Sequence, residues 1–133
     1  MNDGLHEGLS TTRRIEVDAA RTIDFMGEEV RVYATPELVR DIEVTCRDLL
    51  LEHIGPGKDS VGVRVELDHL AATLIGMWVD ITVKVKKTHD RLVSFEVECH
   101  DPLERVASGV HNRVIVGIES TAKRLAEKRA KVG

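Results

Sequence analysis

The spacing of hydrophobic residues changes along this chain from a helical period to a strand period. Between Ala34 and Glu52 apolar side chains recur at steps of three and four residues, which predicts one amphipathic helix. Thr35 and Pro36 suit the N-cap and the first helical position. The Gly-Pro-Gly sequence that follows cannot continue the helix, so we expect it to end near Ile54.

After this turn, apolar and polar residues alternate with a period of two. The alternation covers residues 61–68, 79–86 and 93–100, and it predicts half-buried antiparallel strands. A further strand is predicted from about Arg105 to Val116, with a bulge at Gly109. Weak alternation over residues 9–17 predicts a short strand ahead of the helix.

These elements predict an α+β domain in which one face of an antiparallel sheet wraps the long helix. The length of 133 residues suits one domain. We expect a loose N-terminus over residues 1–8, the domain over 9–118 and a charged C-terminal helix over 119–133. Such a sheet keeps an edge strand, which favours pairing between sheets in a homodimer or a tetramer.

Composition excludes several classes of function. The net charge of -4 and the aromatic content of 3% argue against nucleic-acid binding. No apolar run approaches the roughly 20 residues that span a membrane, and the N-terminus lacks the pattern of a signal peptide. Cys46 and Cys99 fall on apolar faces and lack zinc-type spacing, so we expect reduced packing residues, no metal and a cytoplasmic protein.

Glu43 is the first candidate for chemistry, because it falls on the apolar stripe of the predicted helix. It lies between Val39 and Cys46, whereas the other charged residues of this segment fall largely on the opposite face: Glu37, Arg40, Asp41, Arg47 and Asp48. Burying an ionised carboxylate without partners costs several kcal/mol. Glu43 therefore either pairs with an arginine at the helix edge or has a catalytic function.

Two other polar residues belong with Glu43 if the helix packs on the sheet. Thr35 begins the helix, and His69 lies where a strand runs into a turn, so packing of this strand is expected to bring the imidazole near the carboxylate. A carboxylate, an imidazole and a hydroxyl suit acyl transfer, and backbone N–H groups at a helix N-terminus can hold an oxyanion. Taken singly, Thr35 is explained as an N-cap and His69 as a structural histidine.

Four segments carry a resemblance to a known family. They are A-T-P-E-L-V-x-x-I-E, V-G-V-R-V-E-L-D-H-L-A-A-T-L-I-G-M-W-V, R-L-V-S-F-E-V-E-C-H-D and S-G-V-H-N-R-V-I-V. From about residue 10 to 118 the chain resembles the fluoroacetyl-CoA thioesterase family of hotdog-fold proteins. The intervals of 8 residues from Thr35 to Glu43 and 26 residues from Glu43 to His69 agree with the spacing of that family's Thr, Glu and His.

The resemblance implies hydrolysis of an acyl-CoA to the free acid and coenzyme A, with no further cofactor. Glu43 would attack the thioester carbonyl or activate water, His69 would stabilise the intermediate or transfer a proton, and Thr35 would position the substrate or the carboxylate. In hotdog dimers the sites lie at the subunit interface, so one site draws on two chains.

The resemblance also implies residues that bind the substrate. Gly62 matches a family glycine beside the thioester, where its N–H group or those of the helix end would hold the oxyanion. Arg113 matches the arginine of an H-x-R motif. Together with Arg91 or Lys87, it would face the CoA phosphates.

One departure from the family bears on the substrate. Fluorine-selective members carry bulky aromatic residues ahead of the helix, whereas here that region has Phe25, Met26, Glu28 and Glu29. We therefore expect a short- or medium-chain acyl-CoA rather than fluoroacetyl-CoA. The alternative is a non-catalytic hotdog module that binds acyl-CoA. A dehydratase would need its His and acid in a different motif.

Overall fold

The computed structural model describes residues 4–133, and these form one antiparallel sheet with two helices. The elements in chain order are β1 (Ser10–Glu16), α1 (Thr35–Leu51), β2 (Lys58–His69), β3 (Trp78–His89), β4 (Leu92–His100), β5 (Arg105–Gly117) and α2 (Ile118–Val132). Two 3-10 turns, Ala19–Arg21 and Glu28–Val30, interrupt the segment between β1 and α1. The predicted α+β class is confirmed.

The five strands are arranged in the order β1-β3-β4-β5-β2, and every neighbouring pair is antiparallel. A tight turn joins β3 to β4, where Asp90 adopts a left-handed φ of 54°. This order leaves β1 and β2 as the two edges. The predicted edge strand is therefore present, and His69 ends one of the two.

The predicted bulge at Gly109 is wrong. The register shifts lie between Gly62 and Arg64, between Val85 and Lys87, and at Cys99. Gly109 instead pairs in register, and a Cβ there would lie 2.0 Å from the backbone oxygen of Glu66. This glycine permits close approach of two strands, which is the other common reason for glycine inside a strand.

Helix α1 lies on one face of the sheet and forms the core with it. Its apolar positions meet alternate residues of the central strands, and both sets are almost wholly buried: Leu38, Ile42, Cys46, Leu49, Leu50, Val79, Ile81, Val83, Phe95 and Val97. The buried face also includes Asp41, which the sequence pattern places on the opposite face. That placement is wrong because Asp41 finds buried hydrogen-bond partners of its own.

The two chain ends differ in how they pack. In the predicted loose segment, residues 1–3 lie outside the described residues, whereas Leu5 is buried and the Gly8 N–H donates to the Val85 carbonyl. Helix α2 buries none of its residues, as expected for a charged helix. Neither helix is long and apolar enough to cross a membrane, as judged over residues 4–133.

Gly109→Ala tests the close approach of β5 to β2. The added methyl meets backbone rather than the end of a flexible side chain, so one of the two strands must move. We expect the free energy of unfolding to fall by about 2 kcal/mol or more, measured by urea unfolding. Ser108→Ala on the same strand is the control, and an equal, small effect of both variants would contradict this interpretation.

Candidate functional site

Thr35 and His69 form the first polar pair of the site. Thr35 is the first residue of α1 and His69 the last of β2, and 2.7 Å separates Thr35 Oγ1 from His69 Nδ1. The N-cap of α1 is Ala34, with no side-chain hydrogen bond to the helix end. The N-cap role predicted for Thr35 is therefore wrong, since its hydroxyl binds the imidazole instead.

A cavity of about 350 Å³ opens beside this pair. Its walls are mostly apolar, and they are formed by Ile23, Phe25, Val32, Tyr33, Ala34, Thr35, His69, Leu70, Ala71 and Ala72. Burial lowers the pKa of His69 below its ordinary value, which favours the neutral imidazole near neutral pH. A neutral ring can take up a proton from a substrate or pass one on.

Glu43 lies elsewhere, in a second cavity of about 300 Å³ between α1 and Arg113 of β5. Its Oε1 atom is 3.5 Å from Arg113 Nη1 and 3.9 Å from His111 Nε2. Its side chain remains 39% exposed, so the carboxylate is open to this cavity as well as paired. The predicted pairing of Glu43 with an arginine is thus present, whereas its catalytic function stays a prediction.

Because Gly62 has no side chain, it leaves room for the carboxylate of Glu43. A Cβ on Gly62 would lie 2.5 Å from Glu43 Oε1 and 3.1 Å from the His111 ring. The register shift of β2 follows directly after this residue. Glycine is required at this position for a steric reason, because a side chain there would displace the carboxylate. Contact of the Gly62 N–H group with the thioester stays a prediction.

Arg113 is buried beneath the carboxylate and is held rigidly. Its Nε donates to Ser60 Oγ at 2.7 Å and its Nη2 to the Ser60 carbonyl at 2.8 Å. Its remaining nitrogen, Nη1, lies next to both Glu43 and His111. In this chain the guanidinium supports Glu43, whereas Arg91 lies in the exposed turn between β3 and β4. Contact of either arginine with CoA phosphates stays a prediction.

His111 begins the H-x-R motif that ends at Arg113, but the sequence analysis assigned it no role in the site. Its Nδ1 lies 2.8 Å from the Arg64 carbonyl, which can only accept, so Nδ1 carries a hydrogen. Its Nε2 lies 3.1 Å from Arg113 Nη1, which can only donate, so Nε2 presents a lone pair. Burial lowers its pKa, which agrees with this neutral tautomer. The available signal was a His and an Arg on the inward positions of β5.

The Thr35–His69 pair and Glu43 are separated within one chain. Helix α1 and β2 run in opposite directions, because Thr35 meets His69 while Arg47 pairs with Asp59. The interval of eight residue steps from Thr35 to Glu43 along the helix corresponds to a rise of about 12 Å. Across residues 4–133, Glu43 makes no hydrogen bond or ion pair with Thr35 or His69. The predicted approach of His69 to Glu43 is thus not found in a single chain.

Other reactive groups do not join the site. Burial raises the pKa of the Cys46 and Cys99 thiols to about 12, so both are protonated packing residues. No group of three metal-ligating side chains is found in the part of the chain that the structure describes. The chemistry that the site offers is therefore that of a carboxylate, an imidazole and a hydroxyl.

Comparison with known proteins identifies similar chains. The profile of the fluoroacetyl-CoA-specific thioesterase family matches residues 17–119. The fluoroacetyl-CoA thioesterase of Streptantibioticus cattleyicolor is 27% identical over 96% of this chain and 97% of its own.

Solved structures show the same similarity. A structure of a fluoroacetyl-CoA thioesterase superposes with a TM-score of 0.86 and 26% identity, covering 95% of this chain and 98% of its own. A hot-dog-like protein from Thermanaerovibrio acidaminovorans gives a TM-score of 0.84 at 25% identity, over 92% of this chain and 91% of its own. The hotdog fold predicted from the sequence is confirmed.

The tautomer of His111 is open to direct measurement. We expect nitrogen-15 NMR to show a neutral ring with hydrogen on Nδ1 at pH 6, because burial and Arg113 both disfavour the charged form. Since the folded pKa lies below the unfolded one, His111 should reduce stability as pH falls below about 6.5. A doubly protonated His111 ring at pH 6 would contradict the assignment.

Proposed function

Because this chain belongs to the fluoroacetyl-CoA-specific thioesterase family, whose members are thioester hydrolases, we propose that it hydrolyses a short- or medium-chain acyl-CoA at a site shared by two subunits. The observation that carries the proposal is the separation of Thr35 and His69 from Glu43. Each chain holds the Thr35–His69 pair and Glu43 at separate places. A second copy of the chain can bring its Glu43 to the Thr35–His69 pair of the first.

The edge strand β2 is the surface that we expect to pair in a homodimer. It has twelve residues and three exposed valines, Val61, Val63 and Val65. The other edge, β1, has seven residues and is largely polar. A long edge strand with exposed apolar side chains is a template for pairing with another chain.

Antiparallel pairing of two β2 strands about a two-fold axis would join the half-sites. The His69 end of one strand would then lie along the Lys58 end of its partner. Glu43 lies next to Gly62, near the Lys58 end of β2, so it would face the Thr35–His69 pair of the partner subunit. The two-fold axis would create two such sites per dimer, each with Glu43 from one chain and His69 from the other.

The proposed chemistry follows from these groups. Glu43 either attacks the thioester carbonyl carbon to form a mixed anhydride, which water then hydrolyses to the free acid, or removes a proton from the water that attacks this carbon directly. The carbon–sulfur bond breaks, CoA leaves as the thiol, and His69 supplies or accepts the proton. Thr35 fixes the ring of His69 through its hydroxyl. N–H groups of the first turn of α1, or that of Gly62, would hold the oxyanion.

The cavity beside His69 supports the choice of acyl group. Its walls are mostly apolar, and the segment ahead of α1 contributes two aromatic residues, Phe25 and Tyr33, beside Ile23 and Val32. In the same segment Glu28 forms a salt bridge with Arg31 rather than offering an apolar side chain. A cavity of about 350 Å³ with these walls suits a short or medium aliphatic chain.

Thiol release from a panel of acyl-CoAs tests the activity. We expect hydrolysis by the wild type to peak at short or medium chains, and Glu43→Gln and His69→Ala to lose most of it. Binding of acyl-CoA without release above background would instead favour the non-catalytic module.

Mixing the two inactive variants tests the shared site. Glu43→Gln and His69→Ala, refolded together in equal amounts, form hybrid dimers with one intact site. Random pairing makes half of the dimers hybrids, so about one quarter of wild-type activity should return. Each variant refolded alone is the control. A mixture no more active than these controls would place Glu43 and His69 in the same chain's site.

A further inference from the structure

We propose that the buried residues Asp41 and Tyr33 and the half-buried Arg21 form a positioning network that holds Thr35 against His69. The consequence for catalysis rests on the proposed function, but the positioning itself does not. None of the three residues belongs to the catalytic set, and the sequence pattern assigned Asp41 to the solvent face. Their contacts connect α1 to the segment that walls the cavity.

Asp41 is the centre of the network. Its Oδ2 accepts the Tyr33 hydroxyl hydrogen and also the Nε–H of Arg21 at 2.8 Å. Its Oδ1 accepts from Arg21 Nη2 at 3.3 Å. Asp41 is 8% exposed and Tyr33 2% exposed, so the carboxylate depends on these donors rather than on water.

The network closes the segment 22–33 at both ends. Thr22 and Tyr33 form an antiparallel bridge, and the Ala34 N–H donates to the Arg21 carbonyl at 2.8 Å. The Tyr33 N–H donates to the Thr73 carbonyl at 2.9 Å. The main chain that leads into α1 is thus fixed by Arg21 on one side and by Thr73 on the other.

This location matters because Thr35 follows Tyr33 by two residues. Thr35 itself is exposed, and its hydroxyl meets His69 through a single side-chain hydrogen bond. In the described chain, no other side-chain hydrogen bond holds either group. The position of Thr35 therefore depends on the main chain before it, which the network fixes.

The chain provides a matched control in the pair of Arg14 and Asp80. Arg14 donates through Nε at 2.8 Å and through Nη2 at 3.0 Å to the two oxygens of Asp80, a geometry close to that of Arg21 and Asp41. This pair joins β1 to β3, and neither residue lines the cavity beside His69. Arg14→Gln thus removes a similar ion pair without touching the entry to α1.

NMR of the His69 ring tests the positioning independently of catalysis. In Arg21→Gln we expect the ring signals to shift and the pKa to rise toward its ordinary value, because water reaches a ring that has lost its neighbour. Tyr33→Phe keeps the aromatic ring, removes one donor and should cause a smaller shift of the same sign. Arg14→Gln should leave the ring unchanged. Unchanged His69 signals in both network variants would overturn the proposal.

Kinetics provide the second test if the wild type hydrolyses acyl-CoA. Small misplacements of a reacting group can cost as much as about 100-fold, so we expect Arg21→Gln to lower kcat by about 10- to 100-fold and to affect KM less. In a Thr35→Ala background the same change should have little further effect, since both act on one contact. If the losses in kcat of the two single variants multiply in the double variant, the two residues act independently, which would contradict positioning. A wild type without hydrolysis would refute the proposed function and leave the NMR test to decide.

Discussion

The packing of α1 against the sheet determines where every candidate site residue lies. Leu38, Ile42 and Leu50 are fully buried against strands whose inward residues are buried as well. Truncating any one of them to alanine is expected to cost about 2–5 kcal/mol. Because this face must be buried, the rotation of the helix is fixed, and the polar residues at its margins point to defined places.

Two of these margins carry the candidate catalytic residues. At the start of the helix Thr35 reaches the end of β2, and two turns later Glu43 reaches Gly62 near its beginning. The opposed directions of α1 and β2 keep these two contacts apart in one chain. In the proposed dimer the opposed directions have the reverse effect. A two-fold axis places the end of one β2 beside the beginning of the other, and so brings Glu43 of one chain to the Thr35–His69 pair of its partner.

The sequence predicted the fold well because its signals are local. The period of the long helix, the alternation of the strands and the turn residues between them each depend on neighbouring positions, and all correspond to elements of the structure. Thr35 and His69 also lie at the element ends where the pattern placed them, and Glu43 lies within the predicted helix. The predictions that were wrong depended on contacts between elements, which local patterns do not show.

Asp41, Thr35 and Gly109 show the limits of that reasoning. An acid next to a helical stripe is assigned to solvent unless a donor such as Tyr33 is known to face it. A threonine at a helix start is assigned as a cap unless a histidine lies within reach. A glycine within a strand suggests a bulge unless the neighbouring backbone is known to be close. In each case a distant partner overrides the local preference.

The most direct measurement is formation of a disulfide between subunits in the double variant Glu43→Cys, His69→Cys. If one site joins Glu43 of one chain to His69 of another, mild oxidation should give a covalent dimer on a non-reducing gel. Single variants should give none, since Cys46 and Cys99 are buried. Oxidation that yields only a monomer with an internal disulfide would contradict the shared site.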